Sequence, residues 1–158
     1  RPLRRRTDPP RVKDAGPRGP ASSFHPPILL PVPAPMPRPI LEESRLHPAI
    51  RETVARLHED IVREVQAAVA SNDVVVVGMA QNPFPRKARK LLDAAGVAYR
   101  YLEYGSYFGD WRRRNALKMW TGWPTFPMVF VKGVLVGGAS ELKRLADSGE
   151  LKRTLSGG

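Results

Sequence analysis

The chain has 158 residues, 42% of them hydrophobic, which is enough for one domain of ordinary size plus a less compact segment. Its 26 Lys and Arg outnumber 15 Asp and Glu, and a net charge of +11 suits an acidic partner: nucleic acid, an anionic membrane face or an acidic protein surface. Having no cysteine excludes disulfides, cysteine-ligated metal or iron–sulfur centres and any thiol nucleophile of its own, and the three scattered histidines, His25, His47 and His58, make no ligand pattern.

The chain opens at Arg1 with no Met, and the expectation is that an N-terminal piece has been removed or left out. Residues 1–45 read as an extended arm. Most of the 17 prolines fall there, and "HPPILLPVPAPMPRPI" places Pro at 31, 33, 35, 37 and 39. Proline at every second residue fixes φ and removes amide donors, which forbids helix and sheet ladder and leaves a polyproline-like strand. The head, "RPLRRRTDPPRVK", is basic through Arg4, Arg5 and Arg6, and residues 1–50 carry nine Lys and Arg against four acids. Such a segment is either a disordered tail or an arm that becomes ordered along another subunit or an RNA. Its apolar centre, Ile28, Leu29, Leu30 and Val32, suits a docking strip. Arginine-rich leaders can also be remnants of organelle targeting, but these prolines fit an amphipathic transit helix poorly.

Residues 46–72 predict an amphipathic helix that starts at Pro48. Apolar residues at 50, 54, 57, 61, 65 and 69 recur at helical spacing on one stripe, His58 lies beside it, and "SND" ends it. From residue 73 to 158 the element types alternate. Val74–Gly78 reads as a β-branched strand, Pro83–Ala95 as a helix ended by Gly96, and Val97–Glu103 as a second strand. A turn around "YGSYFGD", a helix near Trp111–Thr121, and the extended runs "FPMVFV" and "VLVGG" about Lys132-Gly133 follow, with two short helices at the end. The first strand pair, joined through a helix, should be parallel; the second, joined by a two-residue turn, a hairpin. No apolar run is long enough to span a bilayer, so the expectation is an intracellular protein, soluble or peripheral to a complex, in the cytoplasm or an organelle matrix.

The stretch "VVVVGMAQNPFPRKARKLL" runs a strand through a turn into a basic helix, the place where a redox or anion-binding protein keeps its reactive group. Here the turn holds Asn82, Pro83, Phe84 and Pro85, none of which is a nucleophile. Asn82 is a good N-cap and Pro83 a good first-turn residue, while Pro85 removes a backbone N–H that would otherwise help stabilise an anion. Arg86, Lys87, Arg89 and Lys90 make the helix basic, either to attract a phosphate or acidic partner or simply as a solvated face.

These residues resemble the glutaredoxin family. "VVVVGMAQNPFPRKARKLL" fits, without a gap, its pattern of strand, Lys-x-x, Cys-Pro-Phe/Tyr-Cys and basic helix, and "TGWPTFPMVFVKGVLVGGASEL" resembles the Trp-Pro-Thr-x-Pro…Gly-Gly region of monothiol members. The resemblance implies a thioredoxin-like α/β domain over residues 73–158, with a mixed four-stranded sheet flanked by helices. It places Asn82 at the first cysteine, which in the family attacks disulfides or ligates an iron–sulfur cluster together with glutathione. Pro85 stands at the second cysteine or serine, Met79 at the glutathione-holding lysine, and Ala139 at a further cysteine. No cofactor is expected beyond glutathione, which the resemblance places at Thr125, Phe126, Pro127, Gly137, Gly138 and Ser140, with a cis bond before Pro127; the same residues equally serve the backbone path. Arg112, Arg113 and Arg114 are candidates to meet a carboxylate.

The aromatics Tyr99, Tyr101, Tyr104, Tyr107, Phe108, Trp111, Trp120 and Trp123 read partly as core, while "YGSYFGDWRRR" is the part folding explains least. Tyr107, Trp111 and Arg112 suit a protein contact, with base stacking on RNA as the other reading. The first functional expectation is a redox-inactive accessory or adaptor subunit, docked through Arg4, Arg5, Arg6, Leu29 and Leu30 in a larger protein or ribonucleoprotein assembly. The alternatives are a glutathione-binding module without chemistry, and a thiol–disulfide or iron–sulfur protein acting with a partner's thiol.

Overall fold

A computed structural model describes residues 38–157. Behind a short 3-10 turn at Glu43–Arg45 come two helices, α1 (Pro48–Arg56) and α2 (Glu59–Ser71). The remaining elements are β1 (Val74–Gly78), α3 (Pro83–Ala94), β2 (Arg100–Glu103), α4 (Trp111–Thr121), β3 (Met128–Val131), β4 (Val134–Gly137), α5 (Ala139–Asp147) and α6 (Glu150–Leu155). The sheet order is β2-β1-β3-β4: β1 pairs parallel with β2 and antiparallel with β3, and β3 and β4 form the hairpin expected about Lys132-Gly133. This is the thioredoxin-like arrangement.

The sheet is covered on both faces, which is why β1 is an unbroken run of valines rather than an alternating strand. Val75 and Val77 point into one core with Ile61 and Val65 of α2, Leu117 of α4, Met128 and Phe130. Val74 and Val76 point into the other, with Ala88 and Leu92 of α3, Leu142 of α5 and Leu151 of α6. With its period of two, one short strand thereby joins both layers.

The expected helix over 46–72 is interrupted. His58 adopts a left-handed backbone (φ 45°, ψ 46°) between α1 and α2, so His58 is a hinge residue on the boundary rather than a mid-helix side chain. The apolar stripe divides with it: Ile61 and Val65 are buried, whereas no residue of α1 is. The second strand is shorter than expected, because β1 offers register partners only to Arg100–Glu103. Val97–Tyr99 reach it as unpaired chain.

Candidate functional site

The corner between β1 and α3 is built by Asn82. Its Oδ1 accepts a hydrogen bond from the Phe84 N–H (3.0 Å), which caps the helix, while Pro83 occupies the first turn, where its missing donor costs nothing. Its Nδ2 donates to the Phe126 carbonyl at 3.3 Å, tying the helix start to the loop before β3. Both ends of the side-chain amide are therefore engaged. Pro85 is buried, Phe84 projects to solvent, and the Lys87 ammonium lies 5.0 Å from the Phe84 ring centroid.

The Phe126–Pro127 peptide is cis. Beside it lies a groove of about 260 Å³, walled by Phe84 of α3, Thr125, Phe126 and Pro127 of the loop, and Gly138, Ala139 and Ser140 at the start of α5. Five of the six residues singled out for glutathione thus meet in one place. The sixth, Gly137, ends β4 and is not part of the wall: at φ 116° a Cβ would come within 2.7 Å of the Glu141 Cγ, so only glycine fits the backbone there.

Two further groove residues, Glu141 and Trp123, were not among those singled out for glutathione, and Glu141 was not singled out at all. Glu141 turns back so that its Oε2 accepts from the Gly138 N–H (3.0 Å), which uses the first donor of α5 internally and brings a carboxylate to the groove. The signal was available, since a Glu three residues after a helix start is half of a capping box. Trp123 also lines the groove, and among the described residues nothing accepts from its buried Nε1–H.

The three arginines do not converge on this groove. Arg113 donates to Asp60 of α2 at 2.7 Å, and that bond holds the Asp60 carboxyl below the usual carboxylate range. Arg114 is buried and donates to the Tyr104 and Gly109 carbonyls. Arg112 stacks on Trp111. The tyrosines likewise divide. Tyr104 belongs to the core and donates to Glu64, whereas Tyr107 and Trp111 are exposed. Arg4, Arg5, Arg6, Leu29 and Leu30 lie outside the described residues.

The donor set here does not fit an iron–sulfur cluster or thiol exchange: the chain has no cysteine, and an amide and a proline ring stand at the two family positions. Among the described residues no three His, Asp or Glu cluster as metal ligands, and no helix is long and apolar enough to cross a membrane.

Comparison with known proteins agrees with this geometry. The glutaredoxin family model matches residues 74–136. A glutaredoxin-like protein of Dictyostelium discoideum is 45% identical over 102 residues, a match covering 65% of this chain and 83% of that one. Glutaredoxin-3 of Bos taurus is 38% identical over 74 residues, 47% of this chain but 21% of that much longer protein. Among solved structures, a buckwheat glutaredoxin crystallised as a glutathione complex superposes with a TM-score of 0.55 at 25% identity, over 64% of this chain and 92% of that one.

Proposed function

The chain belongs to the glutaredoxin family, and on that premise we propose that it is a redox-inactive member, an accessory or adaptor subunit of a larger assembly that keeps the domain for its shape and docks through residues 1–45. The observation that carries this reading is the doubly bonded Asn82 amide. Where chemistry would need a thiolate with room to attack, the side chain closes the corner, capping α3 and holding the Phe126 carbonyl. The basic arm supplies the electrostatic half of docking: a surplus of cations speeds encounter with an acidic surface or RNA and weakens with salt.

A second reading, a glutathione-binding module, is favoured by the groove itself and by the Trp123 Nε1–H, which an acceptor on a ligand would satisfy. Glu141 opposes it, because a glutathione carboxylate arriving at the start of α5 meets a like charge and a donor already in use. Calorimetric titration of the full chain with glutathione separates the two. The accessory-subunit reading expects no binding in the micromolar range; binding near ~1 μM, worth about −8 kcal/mol, would favour the module. On the module reading, Glu141→Gln should tighten that binding by about 0.3–1 kcal/mol.

A further inference from the structure

The loop between β2 and α4 is held in one shape. The buried Arg114 donates from the same Nη1 to the Tyr104 carbonyl at one end (2.9 Å) and the Gly109 carbonyl at the other (2.7 Å), and Ser106 and Gly109 form a bridge across it. Gly105, at φ 61°, leaves no space for a side chain, since a Cβ would meet the Asp110 Cβ at 2.5 Å. What this frame presents is Phe108, 90% exposed, three residues before Trp111, 55% exposed, with the Arg112 guanidinium 5.1 Å from the Trp111 ring centroid. Large apolar groups held out in water, on a loop that has already lost its freedom, are what a preorganised contact requires.

The matching recess is at the other end of the same helix. Val54 and Leu57 from the α1 end, Val62 of α2, and Met119 and Trp120 of α4 line an apolar groove of about 260 Å³ with Glu59 among its walls. On α4, Trp111, Asn115 and Met119 stand four residues apart along one ridge, and Met119 is 53% exposed. The ridge is symmetric about Asn115, with a large apolar side chain one turn away on either side. Two such i±4 ridges interdigitate at a crossing angle of about −50°.

We infer that α4 is a self-association surface: two copies of the chain pack their α4 helices antiparallel about a two-fold axis at Asn115, and the Phe108–Trp111 knob of each enters the groove of the other. A two-fold contact must be self-complementary, and this chain carries both halves, knob and recess, with Arg112 on the first and Glu59 on the second. Glu59 already pairs with Arg63 on its own helix, so Arg112 adds a cation to an existing pair rather than meeting a bare carboxylate. An amide at the axis bonds its symmetry mate and fixes the register, as a buried Asn does in helix pairs. The net charge of +11 opposes association at long range, but at physiological salt it is screened beyond ~8 Å, which leaves the contact patch to decide. This inference goes beyond the accessory-subunit reading and stands or falls separately from it.

Sedimentation equilibrium of the full chain, with Phe108→Ser and single-cysteine variants, tests it. The expected result is a monomer–dimer equilibrium weakened at least about tenfold by Phe108→Ser, which alters an exposed loop tip and leaves the core intact. Because the native chain has no cysteine, Asn115→Cys should give a disulfide-linked dimer under mild oxidation, since helices crossing ~8–10 Å apart bring residues at the axis within disulfide reach. Lys143→Cys on α5, away from the ridge, should not. A chain that stays monomeric, a dimer indifferent to Phe108→Ser, or equal cross-linking at positions 115 and 143 would overturn the inference, including where the same knob is then found to bind another protein, RNA or vesicles.

Discussion

At Asn82 the side-chain oxygen and nitrogen bond two different segments, so truncating it removes a helix cap and a long-range tie together. Asn82→Ala should lower the free energy of unfolding by about 2 kcal/mol, roughly 1 from the cap and the rest from the bond to Phe126, as read from the urea midpoint at constant slope. An unchanged midpoint would mean that the amide is an idle remnant. Tyr101 offers a titration. Burial first, then its hydrogen bond to Glu103 and that carboxylate's charge, push the phenol up to about 12, against the opposing Arg89 guanidinium over its ring. Because the folded state holds this proton longer than the unfolded chain does, the contribution is complete below about pH 10 and is lost as the pH rises toward 12. The unfolding free energy of Tyr101→Phe should therefore fall less between pH 10 and 12 than that of the native chain, with Tyr104, raised by burial and Glu64, still contributing to the decline.

Among the elements, α1 and α2 look alike in sequence and differ in what they bury. Ile61 is fully buried against the sheet, so Ile61→Ala should cost about 2–5 kcal/mol, whereas Ile50→Ala, at a side chain 46% exposed, should stay within about 0.5 kcal/mol. Equal costs in thermal unfolding would show that the stripe acts as one helix after all. The stripe at 50, 54, 57, 61, 65 and 69 was legible, but the interruption at His58 was not. Spacing reports which residues share a face and says nothing of where the sheet that covers that face ends. The hairpin about Lys132-Gly133 and the span of α4 were legible because turn chemistry and a glycine after the last turn act locally. At the site, the cap at Asn82 and the cis bond before Pro127 could be read from residue type and resemblance. The bond from Asn82 to Phe126, 44 residues away, and the burial of Arg114 are tertiary facts, and no local pattern encodes them.

Across the described residues, two cores lie one on each side of the sheet, and their side chains fall between Leu57 and Leu155. If the chain docks through residues 1–45 as proposed, deleting that segment should leave cooperative unfolding of the remainder intact while abolishing co-purification with whatever proteins or RNA the full chain brings down; unchanged co-purification would remove the arm as the anchor. On the proposed function a glutaredoxin domain persists here without its chemistry, because a folding surface needs only shape while disulfide exchange needs a thiolate. The most direct test is the reduction of a glutathione mixed disulfide by the purified full chain, coupled to glutathione turnover. The expected rate equals that of the protein-free blank at every protein concentration. A rate that rises in proportion to protein would mean that the chain does catalyse the exchange and is not redox-inactive.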